Sequence, residues 1–136
     1  VNLELMVSEL LRDEALRKKP YLDSVGKLTI GVGRNLADVG ISESEALLLL
    51  QNDIERAVHW LNTTLPWWTQ LSEARQRVLV NMTFNLGPRK LLTFVNTLRY
   101  IQEGRYAEAS EAMRQSKWAE QVGERAQRLA AMMKTG

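Results

Sequence analysis

The chain has 136 residues, 45% of them hydrophobic and 25% charged, which is ordinary globular composition and long enough to bury a core in one domain, two-lobed or not. It contains no Cys, which excludes a disulfide framework and a Cys-ligated metal site. The net charge of +2 is too small to argue for nucleic acid as a partner. Residues 87–136 do carry nine Lys/Arg against five Asp/Glu. That basic half suits a polyanionic target, or is simply a set of solvated helix faces.

Leu3 to Glu14 reads as an amphipathic helix. Leu3, Met6, Val7, Leu10, Leu11 and Glu14 follow the i, i+3, i+4, i+7 pattern, and Pro20 bars its continuation. The same stretch has acids and no basic leader, so no signal peptide is expected. The longest apolar run, Ala46 to Leu50, is too short to cross a bilayer, so no membrane insertion is expected.

Tyr21-Leu22-Asp23 and Leu28 to Gly33 read as two short strands around a turn at Ser24-Val25-Gly26-Lys27. Gly31 and Gly33 suggest close backbone approach. Ser42 to Leu61 is a long helix opened by a Ser42–Glu45 capping box. Ser72 to Leu86 is a second, stopped by Gly87-Pro88 and apolar on several sides, hence buried. Shorter helices follow at about Leu92 to Glu103, Tyr106 to Gln115 and Gly123 to Met133. The predicted class is α+β and mostly helical, as a single domain over 1–136. Its parts are a small hairpin lobe at about 15–41, a connecting helix at about 42–61, and a helical lobe at about 62–136 that also takes in helix 3–14.

Three residues stand out chemically. Glu14 ends an apolar stripe where Leu or Ile is expected, and a general acid is a carboxyl in such surroundings. A helix-end carboxylate paired with Arg17 or Lys18 is the plainer reading. Asp23 lies nine residues on, past the turn at Pro20. It either initiates a turn or supplies the second carboxyl that glycoside hydrolysis requires. Thr29, six residues later and across the hairpin from Asp23, is unremarkable alone. His59 is the only His, so no multi-His metal site and no Ser-His hydrolase is available. Trp67-Trp68 are assigned to core or hinge packing rather than to sugar stacking.

Asp13-Glu14-Ala15-Leu16-Arg17, Tyr21-Leu22-Asp23 and Thr29-Ile30-Gly31-Val32-Gly33 resemble the lysozymes of T-even phages. Three later blocks agree in order: Asn81 to Gly87, Phe94 to Arg99, and Ser116-Lys117-Trp118 through Arg128. The resemblance implies a lysozyme-like fold and a peptidoglycan hydrolase of the muramidase kind. Such an enzyme cuts β-1,4 links between N-acetylmuramic acid and N-acetylglucosamine with inversion, and lyses bacterial cells. It implies Glu14 as proton donor, Asp23 as the carboxylate that steadies charge and positions water, and Thr29 as a second holder of that water. Substrate contacts are implied at Phe84, at Asn85 (shorter than the family's glutamine), at Thr97 and at Arg125, which matches an arginine that pairs with the catalytic glutamate. Ala112 replaces an asparagine contact, which is not carried over.

No cofactor and no metal are implied. The expected partner is the glycan strand alone, met by a monomer made in a host bacterial cytoplasm. It would act in the periplasm or cell wall after release, for which a holin is the candidate. The linker from Arg34 to Ile41 is shorter than in the family, which removes part of a cleft lip. Arg34 stands where the family has a histidine that pairs with an aspartate on the long helix, so an Arg34–Asp53 ion pair is expected. Two other readings stay open. A lytic transglycosylase needs no held water, which Asp23 and Thr29 argue against. A non-catalytic wall-binding module is disfavoured by the intact Glu14 and Asp23.

Overall fold

The computed structural model describes residues Val1–Gly136. The chain divides into two compact units, Val1–Leu48 and Leu49–Gly136. The class is α+β: eight α-helices, a 3-10 turn, and one small antiparallel sheet.

In the first unit, α1 spans Leu3–Glu14, with the Asn2 side chain accepting from the Leu5 amide at 3.1 Å as its N-cap. None of its side chains is buried. It falls in this unit with the sheet, joined by only Ala15 and Leu16 to the first strand. The strands are β1 (Arg17–Leu22), β2 (Leu28–Gly31) and β3 (Arg34–Asn35), in the order β1-β2-β3. Tyr21 faces Thr29 and Leu22 faces Leu28, but Arg17 pairs with Gly31, so β1 carries an irregularity between Arg17 and Tyr21. Pro20 lies in it. An edge strand is where a residue without an N–H can be placed at no cost to the ladder. β3 is a third strand that the residue pattern does not announce, because two residues show no alternation.

Helix α2 spans Glu43–Thr64. Its capping box forms as expected: the Ser42 hydroxyl accepts from the Glu45 amide at 3.1 Å, and the Glu45 carboxylate accepts from the Ser42 amide at 2.8 Å. The ion pair differs from expectation. Arg34 donates from both terminal nitrogens to Glu45, at 3.0 and 2.8 Å, and from Nη1 to the Gly40 carbonyl at 3.1 Å. Asp53 is taken by Arg56, one turn along its own helix, at 3.0 Å. The expected Arg34–Asp53 pair is therefore corrected to Arg34–Glu45. The linker explains it. Residues 35–40 fold into a tight turn, with the Asp38 amide on the Asn35 side chain at 3.0 Å and the Gly40 amide on the Leu36 carbonyl at 3.1 Å. That turn leaves Arg34 beside the first turn of α2. Asp53 is eight residues further on, about 12 Å of helix rise.

The second unit holds every buried apolar side chain of the molecule. Leu61, Trp68, Val78, Leu79, Met82 and Leu91 form one continuous core with Ile101, Met113, Leu129 and Met133. Helix α3 (Glu73–Leu86) is capped by the Ser72 hydroxyl and stopped at Gly87. The helix predicted from Leu92 is shorter, with α5 covering Val95–Gln102, and a further short helix, α4, precedes it at Pro88–Leu91. After them come α6 (Tyr106–Arg114), α7 (Lys117–Val122) and α8 (Glu124–Thr135). Trp68 is buried in the 3-10 turn Pro66–Gln70, with its indole N–H on Asn62 at 2.7 Å. The buried Ser110 hydroxyl donates to the Ala130 carbonyl at 2.7 Å, tying α6 to α8. Arg75 donates to the Met133 and Lys134 carbonyls and lies over the Tyr106 ring. It thereby satisfies the orphan carbonyls at the C-terminus of α8.

The Glu45 carboxyl is held down to about 2, chiefly by the Arg34 guanidinium and then by the Ser42 amide and hydroxyl. A depressed folded value contributes stability above the unfolded value of about 4.3, lost as pH falls through the folded one. The difference in thermal midpoint between the parent and Glu45→Gln should therefore be constant above about pH 5 and shrink on acidification towards pH 2. Thermal melts across that range check it. A gap that shrank instead as pH rose above neutrality would contradict the assignment.

Candidate active site

Helix α1 ends on Glu14, and its carboxyl is brought against the turn between β2 and β3. A Cβ built on Gly33 would stand 2.9 Å from Glu14 Oε2 and 3.1 Å from its Cδ. Gly33 also has φ +70, a conformation that L side chains adopt at a cost. Both facts demand glycine there, and they give the close approach read from the sequence a definite partner. Gly31 has no such neighbour. Arg17, offered above as a partner for Glu14, lies over the Tyr21 ring at 4.5 Å.

Asp23 does the work of a turn residue with one half of its carboxylate. Its Oδ1 accepts from the amides of Val25 at 3.0 Å and Lys27 at 2.8 Å. Its own amide donates to the Lys27 carbonyl at 2.9 Å. Oδ2 carries no hydrogen bond, so the group is fixed in orientation with one acceptor oxygen free. Asp23 faces Lys27 rather than Thr29, because the turn consumes residues 23–27. Thr29 faces Tyr21, two residues before Asp23 in the chain. Thr29 is buried, 3% exposed, and its hydroxyl donates to the Lys27 carbonyl at 2.9 Å. Its one proton is thus committed, and it can only accept from a further partner.

The remaining predicted residues lie in the second unit. Phe84 is 46% exposed, a large ring left in solvent at the end of a helix whose other face is core. Asn85 accepts from the Trp118 indole at 2.7 Å, which occupies its carbonyl and leaves its amide group available. Thr97 is buried and lines a groove of about 550 Å³ with Phe94, Asn96, Ala112 and Trp118. Phe94 and Trp118 meet edge to face at 6.1 Å. Ala112, where no substrate contact was carried over, is part of the same wall. Arg125 donates from Nε and Nη2 to the Asn81 side-chain oxygen, at 2.9 and 2.8 Å. Asn81 and Trp118 are supporting residues that sequence reasoning did not assign. The signal for Gly33 was present as a glycine in a β context, whereas nothing local marks a partner 44 residues away. No group of three or more His, Asp or Glu is placed to hold a metal ion.

The sequence pattern of the phage lysozyme family matches residues 12–134. The chain is 29% identical to a probable T4-type lysozyme 1 of Dictyostelium discoideum, with 91% of this chain and 90% of that protein covered. A second such lysozyme of that organism is 26% identical over the same shares. The chain is also 29% identical to the pre-baseplate central spike protein Gp5 of Enterobacteria phage T4, over 99% of this chain and 28% of that protein. A helical unit, a small sheet and this family pattern together define a glycoside hydrolase of the lysozyme type, acting on peptidoglycan. The chain belongs to the phage lysozyme family.

The contact between Glu14 and Gly33 makes a direct prediction. Gly33→Ala must displace the carboxyl by several tenths of an ångström and strain the turn. A misplaced catalytic group costs up to about 100-fold in rate. Clearing of bacterial cell suspensions by purified Gly33→Ala should therefore slow by at least about tenfold, with the helical circular dichroism retained. Clearing at the parent rate would show that the carboxyl's position is immaterial.

Proposed function

We propose that this lysozyme hydrolyses the β-1,4 link between N-acetylmuramic acid and N-acetylglucosamine with inversion at the anomeric carbon. Glu14 gives its proton to the leaving glycosidic oxygen as the C1–O bond breaks. A water adds to C1 from the opposite face, and its proton passes to Asp23. Phe84, Asn85, Thr97 and Arg125 are assigned to the binding of the glycan.

The observation that carries this reading is the polarity of the hydrogen bonds around Asp23 and Thr29. Asp23 Oδ1 is occupied by two amides and Oδ2 is free, while the Thr29 hydroxyl has given its proton to a carbonyl. Both free groups are acceptors. A water between them donates both its hydrogens and is left with a lone pair for the sugar. A lytic transglycosylase, which closes an internal ring on muramic acid, has no use for such a pair of acceptors. A wall-binding module has no use for a carboxyl wedged against a glycine.

The enzyme is taken to work as a monomer on glycan strands, without cofactor. It is made in a host bacterium's cytoplasm and reaches the wall after release, with a holin as the candidate partner. No helix is long and apolar enough to cross a membrane.

Glu14→Gln keeps the size of the side chain and removes its proton, so lysis should fall by more than about 100-fold with little change in thermal midpoint. Asp23→Ala should lose most of the activity, and Thr29→Ser, which keeps the accepting hydroxyl, should lose least. Turbidity clearing with the three purified variants tests the order. Near-parental turnover by Glu14→Gln would remove it from the role of donor, and Thr29→Ser falling below Asp23→Ala would reverse the assignment of the water.

A further inference from the structure

The chain has eight glycines, and all eight have positive φ. Ala15 is the one non-glycine residue that does, with φ 59 and ψ 148. Everywhere else that the backbone enters this half of conformational space the chain has placed a residue without a Cβ. At Ala15 it has kept one. Strain of this kind persists where the surroundings over-determine it, and it gathers at functional sites.

The location gives the strain a purpose. Ala15 is the C-cap of α1 and directly follows Glu14. Two residues after Ala15 the chain is already in β1. The Glu14 carboxyl therefore sits between two positive-φ residues, Ala15 next to it in the chain and Gly33 touching it in space. Glycine at position 15 would end the helix equally well, as Gly87 does for α3 and Gly123 for α7. It would also let the joint between α1 and β1 sample many conformations, because glycine occupies both halves of φ readily. A methyl group at that joint narrows the choice.

We infer that Ala15 is a positioning residue for Glu14, a strained, restricted joint that holds the carboxyl against Gly33. This rests on the reading of Glu14 as proton donor. The joint costs folding stability and gives accuracy of placement in return.

The test is Ala15→Gly in the full chain, measured by thermal melt and by steady-state kinetics on purified peptidoglycan. Relief of strain should raise the thermal midpoint. kcat should fall by roughly tenfold or more, with KM unchanged, because the joint touches no substrate. Ala15→Ser keeps the Cβ and should keep most of kcat. Gly104→Ala is the control. Gly104 has φ +76 and nothing within 4 Å of an added Cβ, so the substitution places the same kind of strain far from the catalytic set in sequence. It should lower the midpoint and leave kcat alone. An Ala15→Gly enzyme with parental kcat would overturn the inference, whatever its midpoint, as would one in which midpoint and kcat fall together. Glu14→Gln in the same assay keeps the two claims apart. If it stays active, the donor assignment fails. If it is dead while Ala15→Gly matches the parent, only the role of Ala15 fails.

Discussion

Glu14 Oε2 lies 2.9 Å from the point where a Cβ on Gly33 would stand, and much of the first unit is arranged to make that approach feasible. Helix α1 has to stop on the acid, the chain has to turn at once into β1, and the β2–β3 turn has to present bare backbone. Each requirement is met by a conformational exception: positive φ at Ala15, an irregular β1 around Pro20, and positive φ at Gly33. A short-range packing contact thus sets the path of about twenty residues. The Arg34–Glu45–Ser42 network then fixes the end of the sheet to the start of α2 with two parallel charge-assisted bonds.

Four of the polar groups assigned to chemistry share a second property. Each is held by one part of itself and free at another. Asp23 is pinned through Oδ1, Thr29 through its proton, Asn85 through its carbonyl and Arg125 through Nε and Nη2. Orientation is settled before a substrate arrives, so little reorganisation remains to be done during reaction, which is where electrostatic catalysis gains most. No buried side-chain polar atom lacks a partner, so this preorganisation carries no desolvation penalty from stranded groups.

Much of this was legible in the residues. The stripe ending on Glu14 located both α1 and the candidate donor, because an acid at a core-spaced position conflicts with the pattern around it. Ser42 and Glu45 announced the start of α2, and Ser72 with Gly87 bounded α3. Strand β3 and helices α4 and α7 were not legible, since two to six residues are too few to show a period. The start of α5 was placed three residues early, because the apolar Leu92 and Phe94 fit its helical pattern. The Arg34 partner was misread for a physical reason. Helix periodicity placed Asp53 on a promising stripe, but it says nothing of reach, and an eight-residue linker folded into a turn delivers Arg34 to the first turn of the helix. Asn81 beneath Arg125 and Trp118 beneath Asn85 are contacts between distant segments, which no local pattern encodes.

The central claim is that Glu14, Asp23 and Thr29 direct a water to the anomeric carbon. The stereochemistry of the first-formed product reads this out. Proton magnetic resonance on freshly cleaved, soluble peptidoglycan fragments should show a new reducing end on muramic acid in the α configuration, which then mutarotates. A β-configured product, or a 1,6-anhydro end with no reducing sugar, would contradict it.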